Sequence, residues 1–198
     1  MASIGQLCVG VFALEDAIKE GAIELIADLK SKNITPILLT GDNQVTANNV
    51  AKQLNIDQVF AQVLPGEKYK IITELQNEAK VMFVGDGVND SPSIKQADIG
   101  ITLNSGSDIT KDAGDIILIN NDLKSVSKSI NLSVESMKII KQNLFWAFIY
   151  NAAGIPLAAG VLYPIIGLML TPAYAGIAMS FSSVTVVLNS LRLKYKLI

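Results

Sequence analysis

The chain has 198 residues, 50% of them hydrophobic, with a net charge of −2, one cysteine and no histidine. That length holds one ordinary domain plus a small appendage. The acidic balance excludes the basic footprint of a nucleic-acid binder, the lone cysteine excludes an internal disulfide, and the lack of histidine excludes histidine metal sites and histidine general bases.

Residues 1–30 hold an amphipathic segment rather than a basic start and an apolar run, so no signal peptide is read and the acidic part is expected in the cytosol. Leu7–Leu14 reads as a buried strand, with Cys8 as a core cysteine. Ile18, Ala22, Leu25, Ile26 and Leu29 recur with helical spacing and predict a helix over 17–31. A strand at Ile34–Thr40, a helix over 44–55, a strand at Val59–Ala61 and a helix over 66–78 follow. Then come a strand at Val81–Gly85, a helix over 90–97, strands at Ile99–Thr102 and Ile116–Ile119, and a helix over about 122–142. Such alternation predicts an α/β domain with a mostly parallel sheet, whose ligands sit beyond the carboxyl ends of the strands.

Two loops occupy such ends. Thr40-Gly41-Asp42-Asn43 follows Pro36–Leu39, and Gly85-Asp86-Gly87-Val88-Asn89-Asp90 follows Val81–Val84. Glycine lets the backbone turn sharply and approach a ligand. The carboxylates of Asp86 and Asp90, with Asn89 between them, suit a hard cation such as Mg²⁺. Lys68, near the start of the 66–78 helix, can neutralise a phosphate, and helix N-termini favour anions. Each loop taken alone also reads as an acidic turn capping a helix; all three features in order argue for a phosphate site.

No Asp, Glu, Lys or Arg lies between Lys141 and Arg192. Removing the final Arg192, Lys194 and Lys196 from the net −2 leaves −5 for residues 1–141. The uncharged stretch has room for two membrane-spanning helices of about 20 residues each, expected at 143–163 and 173–191 with a break over Pro164–Pro172. Lys138, Lys141 and the basic tail flank them, which places both ends in the cytosol; Trp146 and Tyr163 read as interfacial anchors. A buried hairpin in a soluble core is the alternative. Tyr150, Asn151, Met179 and Ser183 are polar or soft groups inside this stretch. They read either as glue between helices or as a metal path, since a thioether is a soft ligand that selects Cu⁺.

Thr40–Asn43, then Lys68, then Gly85–Pro92 and Gln96–Ile101 resemble the later motifs of P-type ATPases, members of the haloacid-dehalogenase superfamily. Tyr150-Asn151 followed by Met179-Ser180-Phe181-Ser182-Ser183 resembles the Cu⁺-transporting heavy-metal subgroup. The resemblance covers essentially the whole chain. It implies an ATP-driven Cu⁺ export pump of the plasma or inner membrane, with Ag⁺ as a second cargo, in which ATP phosphorylates an aspartate. Asp86 and Asp90 would hold Mg²⁺, with Asn89 and Asp90 fixing the loop. Lys68 would balance phosphoryl charge, Thr40 and Gly41 would bond phosphoryl oxygens, and Asp42 would orient the site. Tyr150, Asn151, Met179 and Ser183 would form part of the Cu⁺ site. The implied layout is part of a phosphorylation domain over 1–121, a connecting helix over 122–142, two membrane helices over 143–191 and a basic tail over 192–198.

No Asp-Lys-Thr-Gly-Thr or Cys-Pro-Cys motif occurs here. In the resembling family the first of these follows the central strand of the sheet, so the chain is expected to lack that strand and to be inactive alone. Residues 1–141 in isolation are expected to be poorly ordered. Two other readings remain: part of a pump for Zn²⁺ or another divalent ion, and a non-enzymatic membrane-anchored half that needs a complementing chain.

Overall fold

The computed structural model describes residues 2–4, 7–10, 17–85, 88–103, 114–120, 122–167 and 172–196. It describes their side chains except at 2–4, 7–10, 88, 166, 172–175, 178, 179, 195 and 196. The chain divides into two compact units, Met1–Ser127 and Lys128–Ile198.

The first unit opens with β1 (Ala2–Ile4) and β2 (Leu7–Gly10), paired antiparallel. The backbone of Cys8 lies in β2 as expected, while β1 has no counterpart in the sequence reading. Helix α1 (Ala22–Ser31) starts five residues later than predicted. Gly21 sets that start: it sits at φ 82°, and the stem of Lys124 lies 3.3 Å from where its Cβ would be. Glu24 in the first turn and Lys30 in the last both complement the helix dipole.

β3 (Ile37–Leu39) and β4 (Gln58–Phe60) pair in parallel and are joined through α2 (Gln44–Leu54). The ends of α2 are written in its sequence. Asn43 Oδ1 accepts from the Thr46 N–H at 2.9 Å, and Asn55 closes the helix in the left-handed region at φ 55°. Next come α3 (Lys68–Gln76), β5 (Met82–Gly85), a 3₁₀ turn (Val88–Asp90), α4 (Ser91–Gln96), β6 (Ile99–Leu103) and β7 (Ile116–Leu118). β5, β6 and β7 form a second parallel sheet in that order.

The α/β class with parallel pairing is therefore present, but as two sheets, since β3 and β5 do not pair with each other. The core holds Ile72, Ile94, Ile101 and Val126, all essentially buried, with Ala47, Ala51 and Leu103 around them. α4 lies against β6 at Gly100, where an added Cβ would stand 2.5 Å from the Ile94 carbonyl oxygen. Asp98 stitches this region together. Its carboxylate accepts from Lys80 Nζ (2.7 Å), the Val81 N–H (3.0 Å) and Gln76 Nε2 (3.1 Å), and the Lys80 bond, followed by the Val81 and Gln76 bonds, holds its pKa far below the usual carboxylate range.

Helix α5 (Lys124–Ala158) runs without a break through what the sequence reading divided into a connecting helix and a first membrane span. Its start is anchored within the first unit. Asp28 of α1 accepts hydrogen bonds from Lys32 and from the Ser127 hydroxyl, and these, Lys32 first, lower its pKa. In the second unit, a short α6 (Tyr163–Ile166) and α7 (Pro172–Lys196) follow.

The expected spans differ from the observed helices in a way that matters. α5 ends at Ala158, two residues before Gly160 at φ 82°, so its uncharged part, 142–158, is at the short limit for a bilayer span, about 17 residues. Among the described residues, no helix is long and apolar enough to cross a membrane. The two spans predicted at 143–163 and 173–191 are thus not supported as such.

Candidate functional site

The first predicted loop lies wholly among the described residues and the second only in part. In the first, the Thr40 hydroxyl donates to Asp42 Oδ2 (2.8 Å) and the Asp42 N–H donates back to Thr40 Oγ1 (3.1 Å). This closed loop is clamped from the segment after β4: the Thr40 N–H donates to Phe60 O (2.9 Å), Gln62 N–H to Asp42 O (2.8 Å) and Val63 N–H to Thr40 O (3.1 Å). Gln62 reaches Asp42 from the left-handed region, at φ 57°. Strain of that kind persists only where surroundings fix it, and nothing in a glutamine's identity announced it.

In the second, Lys68 Nζ donates to Asp90 Oδ1 at 2.8 Å, with the two side chains 17% and 15% exposed. Lys68 is the first residue of α3, and Asp90 ends the 3₁₀ turn after β5. Gly85, the last residue of β5, makes room for the pair: a Cβ there would lie 3.0 Å from Asp90 Cβ and 3.1 Å from its Oδ2. Glycine is thus required by close approach and not by an unusual dihedral. Among the described residues no hydrogen bond links the Thr40–Asp42 group to the Lys68–Asp90 pair. Asn89 is exposed. Asp86 and Gly87, on which the Mg²⁺ expectation rests, lie outside the described residues.

This arrangement bears on what the site can hold. A hard divalent cation wants several free oxygens. Asp90 already spends one carboxylate oxygen on Lys68, and no group of three acidic, cysteine or histidine side chains occurs among the described residues. Asp90 therefore fits an anchor for the lysine better than a sole cation ligand. A hollow of about 520 Å³ lies alongside, lined by Phe60, Gln62, Val63, Glu67, Lys70 and Ile71 among others. None of the predicted site residues lines it.

In the helical unit, Tyr150 and Asn151 lie on α5, and Met179 and Ser183 on α7. Asn151 Nδ2 donates to the Ala147 carbonyl of its own helix (3.1 Å), which turns its amide oxygen away as the free end. The Tyr150 ring is tilted against Trp146, with centroids 6.4 Å apart. The side chain of Met179 is outside the described residues. The level of all four can still be counted along the helix axes. Asn189 Nδ2 donates to Asn143 Oδ1 at 2.9 Å, and α5 and α7 are taken as antiparallel from that pair. Equal steps from that pair toward the turn set Tyr150 level with Ser182 and Asn151 level with Phe181. Met179 and Ser183 then fall within about 3 Å of those levels along the axis.

Models of haloacid dehalogenase-like hydrolases match residues 4–98 and 67–130. A probable copper-exporting P-type ATPase of Archaeoglobus fulgidus is 48% identical over 93% of this chain and 23% of its own length. Copper-transporting ATPase 2 of Mus musculus is 50% identical over 96% of this chain and 13% of its own. The chain thus spans about a quarter, or less, of these curated relatives. A crystal structure of a zinc-transporting PIB-type ATPase in an E2.Pi state superposes with a TM-score of 0.78 at 31% identity, covering 90% of this chain and 28% of that one.

Proposed function

Residues 4–130 belong to the haloacid dehalogenase-like hydrolases and the chain's relatives along nearly its whole length are copper-exporting P-type ATPases; on that premise we propose that the chain is the part of a Cu⁺ export pump that holds half of the phosphoryl site and one pair of cargo-site helices. The observation that carries the phosphoryl-site half is the largely buried Lys68–Asp90 pair, seated against Gly85 at the carboxyl end of β5. A lysine held there by a carboxylate is preorganised to meet phosphoryl oxygens, so the protein contributes positioning and charge. In the Thr40–Asp42 loop the Thr40 hydroxyl and the Thr40 and Asp42 N–H groups are already bonded within the chain, so they would exchange those bonds to meet phosphoryl oxygens. Mg²⁺, when bound, would neutralise phosphate charge, with Asp86 holding it and Asp90 and Asn89 fixing the loop. ATP would be delivered by segments this chain does not contain. The chain alone would be inactive, because it has no Asp-Lys-Thr-Gly-Thr.

The membrane half of the proposal rests on an inverted surface. Leu144, Phe145, Phe148, Ile155, Phe181, Val187 and Leu188 are each more than half exposed, while Asn143 and Asn189 turn toward each other. Helices arranged this way need lipid, or other helices of a larger membrane assembly, on the outside. Tyr150, Asn151, Met179 and Ser183 would supply oxygens and a thioether to Cu⁺ or Ag⁺. The relation to a zinc-transporting structure keeps a divalent cargo as the second reading. Charged or histidine ligands are absent from 142–191, which favours a soft monovalent ion.

The test uses the intact pump carrying these residues. Lys68→Met should abolish phosphoenzyme turnover while leaving copper binding unchanged, and turnover at the wild-type rate would refute the assignment. Met179→Ala should weaken stimulation by Cu⁺, and stimulation by Zn²⁺ but not Cu⁺ would hand the cargo to the second reading. Mixing the chain with a separate chain bearing Asp-Lys-Thr-Gly-Thr should restore activity that neither has alone.

A further inference from the structure

The uncharged stretch 142–191 is closed at its open end by an interlocked set of amide and hydroxyl side chains joined by Arg192. Asn189 Nδ2 donates to Asn143 Oδ1 (2.9 Å) and to Gln142 Oε1 (3.3 Å). Its own Oδ1 accepts from Arg192 Nη1 (3.2 Å). Asn143 Nδ2 donates to Ser190 Oγ (2.9 Å), whose hydroxyl donates to the Val186 carbonyl (2.8 Å). Both amide hydrogens and the oxygen of Asn189 are thereby used, and each amide in the set has one orientation consistent with all its bonds. Such directional sets fix a register that apolar packing leaves free to slide.

From this we infer that Asn189 is a positioning residue: it locks α5 against α7 at one register and so sets the level of Tyr150 and Asn151 relative to Met179 and Ser183. The argument is geometric. α5 and α7 expose many apolar side chains, and Ala147, Ser182 and Thr185, small or polar, are among their part-buried residues. Small residues let helices approach but do not choose a register. One residue of slip moves a helix by about 1.5 Å and turns it by about 100°, enough to scatter a four-residue metal set. Asn143 and Asn189 lie 46 positions apart in sequence, and their pairing, with the Gln142–Asn189 and Asn143–Ser190 bonds, opposes that slip. The consequence for metal rests on the cargo reading given above; the lock itself does not.

The test uses the full chain in bilayer discs of phosphatidylcholine and phosphatidylglycerol, with Cys8→Ser as background. Ala147 and Thr185 lie one turn from Asn143 and Asn189 on the same faces, so Ala147→Cys with Thr185→Cys should cross-link under a mild oxidant. Adding Asn189→Leu should cut the cross-linked yield, and in the Cys8→Ser chain without the two introduced cysteines it should weaken the binding of Ag⁺ alone. The loss is expected at about threefold per bond, hence about tenfold for the two bonds to α5. Asn189→Gln should recover part of it. Asn143→Ala should mimic Asn189→Leu without adding to it, which separates loss of the lock from general misfolding. Undiminished cross-linking in Asn189→Leu would overturn the inference. Cross-linking that depends on Asn189, in a chain that binds no Ag⁺ at all, would uphold the lock and refute the cargo reading.

Discussion

In the α/β unit the side chains most removed from solvent are Ile72, Ile94, Ile101 and Val126, with charged groups such as Lys80 outside. In the helical unit, Asn143 and Asn189 face inward while Phe148 is 66% and Leu188 60% exposed. The buried apolar core thus falls almost wholly before Ser127, while most large apolar side chains after it are exposed. Water is the outer medium that the first pattern satisfies. The second pattern fits the apolar surroundings that the proposed membrane half would supply. The hinge between the patterns falls within one continuous helix, α5, so backbone hydrogen bonding is indifferent to it and the side chains alone register the change.

The largest expected effect comes from abolishing the reversal. Changing Phe145, Phe148, Val184 and Leu188 to Gln should lower partitioning of the chain into phosphatidylcholine vesicles by more than about a hundredfold, since each buried side chain contributes about 1.5 kcal/mol or more. Flotation with vesicles reads this directly, and unchanged flotation would show that the exposed faces do not meet lipid. Next is a change confined to the water-soluble pattern. Gly100→Ala forces a Cβ toward the Ile94 carbonyl and should destabilise the α/β unit by about 3 kcal/mol. Urea titration should show this by circular dichroism, with the fluorescence of Trp146 in the helical unit unmoved.

A smaller effect depends on pH. The Asp98 pKa is lowered in the folded state by Lys80, Val81 and Gln76, so its stabilisation is fully present above the unfolded value of about 3.9 and fades as pH falls through the folded value. Asp98→Asn should therefore lower the urea midpoint at pH 7, and the gap to wild type should narrow below about pH 4. A constant gap would mean that the charge is not what Asp98 contributes. The smallest change is Ser93→Ala. The Ser93 hydroxyl is buried with no hydrogen-bond partner among the described residues, so its removal should be neutral within about 0.5 kcal/mol, or slightly stabilising.

Legibility in the sequence followed how local each cause is. α2 was readable to within a residue because Asn43 and Asn55 cap it from positions adjacent to it. α1 was misjudged at its start because Gly21 is pinned by Lys124, over a hundred residues away. β1 escaped notice because three residues cannot show alternation. α5 was read as two helices because the charge pattern changes at Lys141, although helix geometry does not depend on it. Within the candidate site, Lys68, Asp90 and the Thr40 loop were legible through their motifs. The clamp from Gln62 was not, nor was the Asn143–Asn189 pairing, because neither has a sequence signature. The membrane expectation rested on an uncharged run, and the early end of α5 at Ala158 is a backbone event which that run does not encode.

One feature of the fold also acts in time. Among the described residues β3 and β5 are each paired on a single side, which leaves two rows of backbone donors and acceptors without a strand partner there, along Ile37-Leu38-Leu39 and Met82-Phe83-Val84. Apolar edges of this kind capture any compatible strand they meet, including one from another copy of the same polypeptide. During synthesis on a ribosome, whatever segment completes these edges must already be at hand when they emerge. A delay would turn the same surface into a seed for aggregation, and chaperone demand in a cell would then track the interval between the two segments rather than the stability of either.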